Sequence, residues 1–250
     1  MNRHQRATAQ STTRLYLQDD DCFEAEATVI DVCDACVAFD RTCFYPGGGG
    51  QPPDQGWVQI GGGERLEIVS VHADATDTIW HSMKGLPAGN ILGSPATLIL
   101  DRPRRLAHAR YHTVLHVLNT IALREYGGWI TGVQIALDYS RIDFKLDNFS
   151  AALCAELEKK VNVVLKRRSA VKSYYLAEEQ FRQRDDLLRT LEAKPPVVQG
   201  QVRVVEIEGF DAQACGGTHV RSTDEVGWFS VVRTENKGKI NKRLYVRLDP

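Results

Sequence analysis

Residues 96–128 read ATLILDRPRRLAHARYHTVLHVLNTIALREYGG, and the character of the chain changes inside this stretch. ATLILD (96–101) is a short aliphatic run and reads as a strand. From Arg104 to Glu125 the apolar residues Leu106, Ala109, Val114, Leu115, Leu118, Ile121 and Ala122 recur at helical spacing, and Gly127 and Gly128 end the pattern. A strand-rich part therefore closes near Asp101 and a helix opens the next one.

Upstream, EAEATVIDV, VAFDRTCFY, WVQI and RLEIVSVHA are short strand patterns separated by Gly and Pro, most densely in PGGGGQPPDQG (46–56). No helical pattern interrupts them. Residues 14–101 are expected to form a small β-barrel or sandwich ending on ATLILD. Residues 1–13, polar and basic, are expected to be a loose tail. Downstream, RIDFKL (141–146) alternates as a strand. Helices are expected from about Ser150 to Arg168 and over AEEQFRQRDDLLRTL (177–191). KPPVVQGQ reads as a linker, and VRVVEIE, WFSVVRTE and RLYVRL supply three further strands. Helices mixed with an antiparallel sheet make residues 102–250 an α+β domain.

Composition narrows the function classes. A formal net charge of −1 argues against a non-specific nucleic-acid coat, though not against a local basic face. No apolar run approaches the roughly 18 residues of a membrane span. Six cysteines without a secretion signal read as reduced thiols in a cytoplasmic protein.

The helix carries HTVLH, with His112 and His116 at i and i+4, so both imidazoles share one face one turn apart. A second pair, Cys215 and His219, lies in DAQACGGTHV (211–220), where Gly216 and Gly217 let a short loop turn both ligands inward. Either pair alone reads more simply as packed or surface residues. Together in one domain they make a His₃Cys set suited to tetrahedral Zn²⁺, one per chain. His108 falls on the same helix face and is read as lying outside the ligand set. Cys33 and Cys36 form a CxxC without a second pair at suitable spacing, and read as a turn between strands.

HTVLH, GVQ (132–134), RIDF, ACGGTHV, EVGWF and NKGKINKRLYVRL occur in the order found in the editing domain of alanyl-tRNA synthetase. RTCFYPGGGGQPPDQGWV resembles the Gly-rich segment of the free-standing editing proteins called AlaX. The likeness runs from about Arg14 to Leu248, and the length is similar to that of the medium AlaX form. This resemblance implies a translation-factor-like barrel followed by an editing domain of the threonyl- and alanyl-tRNA synthetase type. The implied activity is hydrolysis, in trans, of tRNA(Ala) wrongly charged with serine or glycine, by a monomer or a homodimer without membrane association.

The resemblance also implies residue roles. His112, His116 and Cys215 are the firm ligands, with His219 the candidate for a labile one, because catalytic zinc normally keeps a position open. Gln134 would hold the substrate's carbonyl or misplaced side chain, and Thr131 would read a serine hydroxyl. Gly48, Gly49, Gly50 and Gln51, with Gly216, Gly217 and Thr218, would approach substrate or tRNA. Lys237, Lys239, Lys242 and Arg243 would meet the RNA backbone. Leu115 departs from the synthetase pattern, where threonine is frequent. The rival reading from another class is a zinc-stapled RNA-binding module without chemistry, and a second rival is a deacylase of a different aminoacyl-tRNA.

Overall fold

The structure is a computed structural model that describes residues 11–146, 150–189, 195, 197–238 and 241–249. The chain divides into two compact units. One comprises Met1–Gly47 and Pro52–Arg105, and the other comprises Gly48–Gln51 and Leu106–Pro250.

The first unit contains β1 (Thr13–Arg14), β2 (Glu24–Cys33), β3 (Cys36–Phe39), β4 (Arg41–Thr42), β5 (Gly56–Ile60), β6 (Arg65–Ala73), β7 (Ile79–Met83) and β8 (Pro95–Leu100). Six of them close into a barrel in the order β2-β3-β7-β6-β5-β8. The closing pair, β2 and β8, is antiparallel, with Glu24 opposite Ile99 and Ala27 opposite Ala96. Alternation places Val29, Val37, Val58, Ile68, Val71, Ile79 and Leu98 in one interior cluster, as the sequence pattern requires. The ordered chain begins before residue 14. Thr12 is buried and donates to the Phe39 carbonyl, and Thr13–Arg14 pair in parallel with Arg41–Thr42. Cys33 and Cys36 face each other across the β2–β3 turn. Arg105 belongs to this unit and is fully enclosed. Its guanidinium forms an ion pair with Asp54 and donates to the carbonyls of Cys43 (2.7 Å) and Asp20 (2.9 Å).

The second unit opens on α1 (Arg102–Tyr126, counted here from Leu106), followed by β9 (Trp129–Gln134), β10 (Ser140–Lys145) and α2 (Ala151–Leu165). Then come β11 (Val171–Ala177), α3 (Glu178–Phe181), β12 (Val197–Val198), β13 (Gln201–Ile207), β14 (Asp211–Ala214), β15 (Trp228–Asn236) and β16 (Asn241–Asp249). One sheet runs β15-β16-β10-β9. A second runs β11-β13-β12, with β14 also paired to β13. Ser150 caps α2, its hydroxyl accepting from Leu153 N. The core joins Val114, Leu118 and Ile121 of α1 to Ile142, Phe144, Leu157, Val161, Leu244 and Val246.

The sequence pattern and the structure part company at several places, among them the strands β7, β9 and β14, which the pattern does not mark, and β12, which lies in the segment read as a linker. The helix expected over 177–191 is a single turn, α3, followed by a 3-10 turn at Asp185–Leu187. Residues 190 and 191 lie outside the described residues. The segment has no continuous apolar face, and Arg184 bonds Asp186 two residues on rather than a partner one turn away. Just before it, VKSYYLA forms β11, an edge strand in full register with β13 that the sequence pattern does not mark. Helix α1 also differs from a one-sided helix, for every residue from Tyr111 to Ala122 is buried. No helix of the described residues is long and apolar enough to cross a membrane.

A candidate metal centre

Burial on all sides follows from two stripes on α1. Val114, Leu118 and Ile121 face the apolar core. His112, Thr113, His116, Asn119 and Thr120 form a polar stripe that must find partners. β14 and the loop after it provide them. Asn119 Nδ2 donates to Gln213 Oε1 (3.0 Å), and Gln213 Nε2 donates to the His116 carbonyl (3.0 Å). Asp211 accepts from Thr120 (2.6 Å) and from Arg189 (2.6 Å). Gln213 and Cys215 are two residues apart, so the bonds that fix one direct the other. Arg203 Nη1 donates to the Gly217 carbonyl (2.7 Å), holding the CGGTH loop from behind.

His112, His116, Cys215 and His219 thereby converge, with their potential ligand atoms all within 4.8 Å of one another. Cys215 Sγ is 3.5 Å from His112 Nε2 and 3.4 Å from His219 Nε2. Tetrahedral bonds of about 2.0–2.1 Å to nitrogen and 2.3 Å to sulfur imply N···S edges of roughly 3.5 Å, so the spacing fits a metal ion.

The tautomers follow from the hydrogen bonds. Gln51 Oε1 can only accept, and it lies 2.9 Å from His112 Nδ1 and 3.1 Å from the Thr218 amide. Thr113 Oγ1 donates its one proton to the Ala109 carbonyl (2.9 Å), so at 3.1 Å it must accept from His219 Nδ1. Both imidazoles therefore carry the proton on Nδ1 and present the Nε2 lone pair to the cluster. Burial first, then neighbouring positive groups, pulls His112 and His219 well below the ordinary histidine range and His116 down to about 3. Neutral imidazole is the form that ligates metal. Gly217 has to be glycine, since a Cβ there would stand 2.2 Å from His112 Cε1 and 2.9 Å from Gln51 Oε1.

The other residues singled out in the sequence are placed unevenly. Gln51 is buried, and its amide is taken up by His112 and by Thr218, to which Nε2 donates at 2.8 Å. Its carbonyl oxygen holds the His112 imidazole, and one amide N–H is taken by Thr218. Thr218 is equally enclosed, Gly216 is half-buried, and Gly48 and Gly49 are exposed. Gly50 packs so closely that a Cβ would meet the Val133 carbonyl at 2.7 Å, and its own carbonyl accepts from Ile135 N. Thr131 and Gln134 lie on β9, exposed, with no side-chain hydrogen bond to any described residue. His108 is buried and stands outside the four-residue group.

The basic tail is less available than its sequence suggests. Lys237 is exposed beside Glu235, but Lys242 is buried and Arg243 is held by both oxygens of Asp143 at 2.7 Å. Lys239 lies outside the described residues. Sequence reading missed Thr113, Arg203 and Gln213. For Gln213 alone there was a local signal, its spacing of two from both Asp211 and Cys215.

This architecture is that of a synthetase-type editing module. Residues 202–245 match the family described as the Threonyl and Alanyl tRNA synthetase second additional domain. A protein from Methanosarcina barkeri named alanyl-tRNA editing protein AlaX-M is 38% identical over 241 residues, covering 95% of this chain and 99% of the relative. A protein of that name from Saccharolobus solfataricus is 33% identical, covering 96% of this chain and all of the relative. The alanine–tRNA ligase of Korarchaeum cryptofilum is 37% identical over 228 residues, 24% of its own length. The chain belongs to the AlaX-M family of alanyl-tRNA editing proteins.

Proposed function

We propose that the protein hydrolyses the aminoacyl ester of tRNA(Ala) charged with serine or glycine, in the cytoplasm, as a zinc-dependent trans-editing enzyme. The observation that carries this reading is the convergent His₃Cys cluster, with two of its imidazoles oriented by hydrogen bonds, in a chain whose relatives are named as alanyl-tRNA editing proteins. A soft thiolate with three imidazoles favours zinc among common metals. The resemblance extends to the barrel, which we take as translation-factor-like.

In the reaction, a water oxygen attacks the ester carbonyl, the bond from the carbonyl carbon to the ribose oxygen breaks, and a proton from the water passes to that oxygen, which leaves as the ribose hydroxyl. Zinc held by His112, His116, Cys215 and His219 supplies Lewis acidity when bound. The chain itself supplies position. Gln51 and Thr113 keep two imidazoles in one tautomer, and the buried histidines exclude bulk water from one side of the cluster. Gln134 and Thr131, with unspent hydrogen-bonding groups, are proposed to bind the ester carbonyl and the serine hydroxyl. Reading a hydroxyl by hydrogen bond discriminates far better than a size-sensitive apolar pocket. Gly48 and Gly49 are proposed to pass close to the substrate, and exposed Lys237 to meet a phosphate.

One feature favours the rival reading of a structural staple, since four protein ligands already fill a tetrahedron. Release of amino acid from Ser-, Gly- and Ala-tRNA(Ala) by wild type and Cys215→Ala separates the two. The deacylase reading expects rapid loss of the serine or glycine ester, alanine spared, and loss of activity in the variant. Intact esters in the presence of metal-loaded wild type would leave a binding module.

A further inference from the structure

The sheet β15-β16-β10-β9 has one face in the core and one face of partly exposed polar side chains. Ile142, Phe144, Leu244 and Val246 point into the core. Alternation sends Arg141, Asp143, Arg243 and Tyr245 to the other side. Strand register assembles that side into two rows. In the first, Gln134 of β9 pairs with Arg141 of β10, which pairs with Tyr245 of β16, which pairs with Arg233 of β15. In the second, Asp143 pairs with Arg243 and Arg243 with Glu235.

The rows differ in chemistry. The second is internally neutralised, because Arg243 is held by Asp143. The first carries no acid. Arg141 makes no ion pair with any described residue, and Arg233, 62% exposed, shares Glu235 with Lys237. Tyr139, half-exposed, stands with its ring 5.9 Å from that of Tyr245, and the Arg233 guanidinium lies 4.7 Å from the Tyr245 centroid. Aromatic and guanidinium planes beside Arg141, which no described acid pairs, on a partly exposed β-sheet face, suit unstacked bases and their phosphates. An acidic peptide would use the charge and leave the exposed tyrosine face idle. The row begins at Gln134, next to Ile135, whose amide donates to the Gly50 carbonyl, and Gly50 adjoins Gln51, the residue that orients His112.

We propose that this row, Tyr139 with Arg141, Tyr245 and Arg233, binds the single-stranded 3′ end of an RNA, with a base on Tyr139 and a phosphate at Arg141. The proposal rests on the editing function for its RNA partner, but its test does not need catalysis.

The experiment measures binding of a labelled single-stranded RNA ending in CCA, and of uncharged tRNA, to the full chain across a salt series. Wild type is compared with Tyr139→Ala, Tyr139→Phe, Arg141→Gln and, as a charge control away from the row, Lys172→Gln. Loss of one stacked base predicts binding roughly tenfold weaker in Tyr139→Ala, restored in Tyr139→Phe. Arg141→Gln is expected to weaken binding and lower the salt slope by about 0.7, one phosphate on a single strand. Wild type that binds neither RNA, or row variants no weaker than Lys172→Gln, would overturn the proposal. So would a polyglutamate chain that competes equally well and is insensitive to Tyr139→Ala. Row-dependent RNA binding by a wild type that hydrolyses no ester would sink the editing function and leave this surface standing. Ester hydrolysis with RNA binding indifferent to the row would do the reverse.

Discussion

Gln51 and Thr113 each hold one imidazole by its Nδ1 proton, and neither is itself a ligand. Such partners set the basicity and direction of a ligating histidine, and losing one typically costs 10–100-fold in metal affinity. Gln51→Ala is therefore expected to weaken zinc binding by about that factor in a chelator competition titration, with the fold unchanged by circular dichroism. An affinity equal to wild type would contradict the role given to Gln51. A different histidine governs acid stability in the barrel. His81 is fully buried, donating from Nδ1 to the Val37 carbonyl (3.2 Å) and accepting at Nε2 from Thr42 (2.8 Å), and burial brings it down to about 3 from 6.5. Below pH 6.5 the unfolded chain takes up a proton that the folded chain refuses. Its contribution is intact above about 6.5 and falls away toward 3, at up to about 1.4 kcal/mol per pH unit. Urea midpoints measured from pH 7 to pH 4 should fall more steeply for wild type than for His81→Gln. Parallel slopes would show that His81 is not responsible.

At the scale of elements, what could be read from the sequence was what repeats locally. Helix α1 showed itself by its 3.6-residue pattern, and its i, i+4 histidines already faced one another. β13 and β15 showed by their β-branched residues, and β16 by the alternation in RLYVRL. The strand VKSYYLA did not, because an edge strand with half its residues exposed has weak alternation and takes its place from pairing with β13. Gln51 was legible as part of a Gly-rich turn but not as a partner of His112, 61 positions away, or of Thr218, 167 positions away. Four successive glycines with positive φ, Gly47 to Gly50, form the turn that ends on it. Arg105 was likewise legible only as one charge in RPRR. In the fold it is the enclosed partner of Asp54, whose carboxylate also accepts from Tyr45 N at 2.7 Å. Removing that carboxylate strands an enclosed guanidinium in the first unit. Asp54→Ala is expected to cost about 3–5 kcal/mol in urea unfolding. A loss below 1 kcal/mol would mean that the ion pair contributes little beyond its replacement by water.

The whole molecule joins these scales through a discontinuous second unit. That unit takes Gly48–Gln51 from within the barrel sequence and everything from Leu106 onward. The candidate metal cluster comes from the middle of α1 and the loop after β14, and its support Gln51 from a Gly-rich turn. This explains why its four ligands could be picked out by residue type and spacing, whereas their supports required the fold. It also makes the central claim, that a metal at this cluster is needed for ester hydrolysis, open to one direct measurement. The full-length protein would be stripped by chelator and reloaded stepwise with zinc, and the bound metal and the rate of serine release from Ser-tRNA(Ala) read in the same samples. The account predicts a rate that is negligible in the stripped protein and rises in proportion to occupancy, levelling at one zinc per chain. A stripped protein that releases serine at the full rate would contradict it.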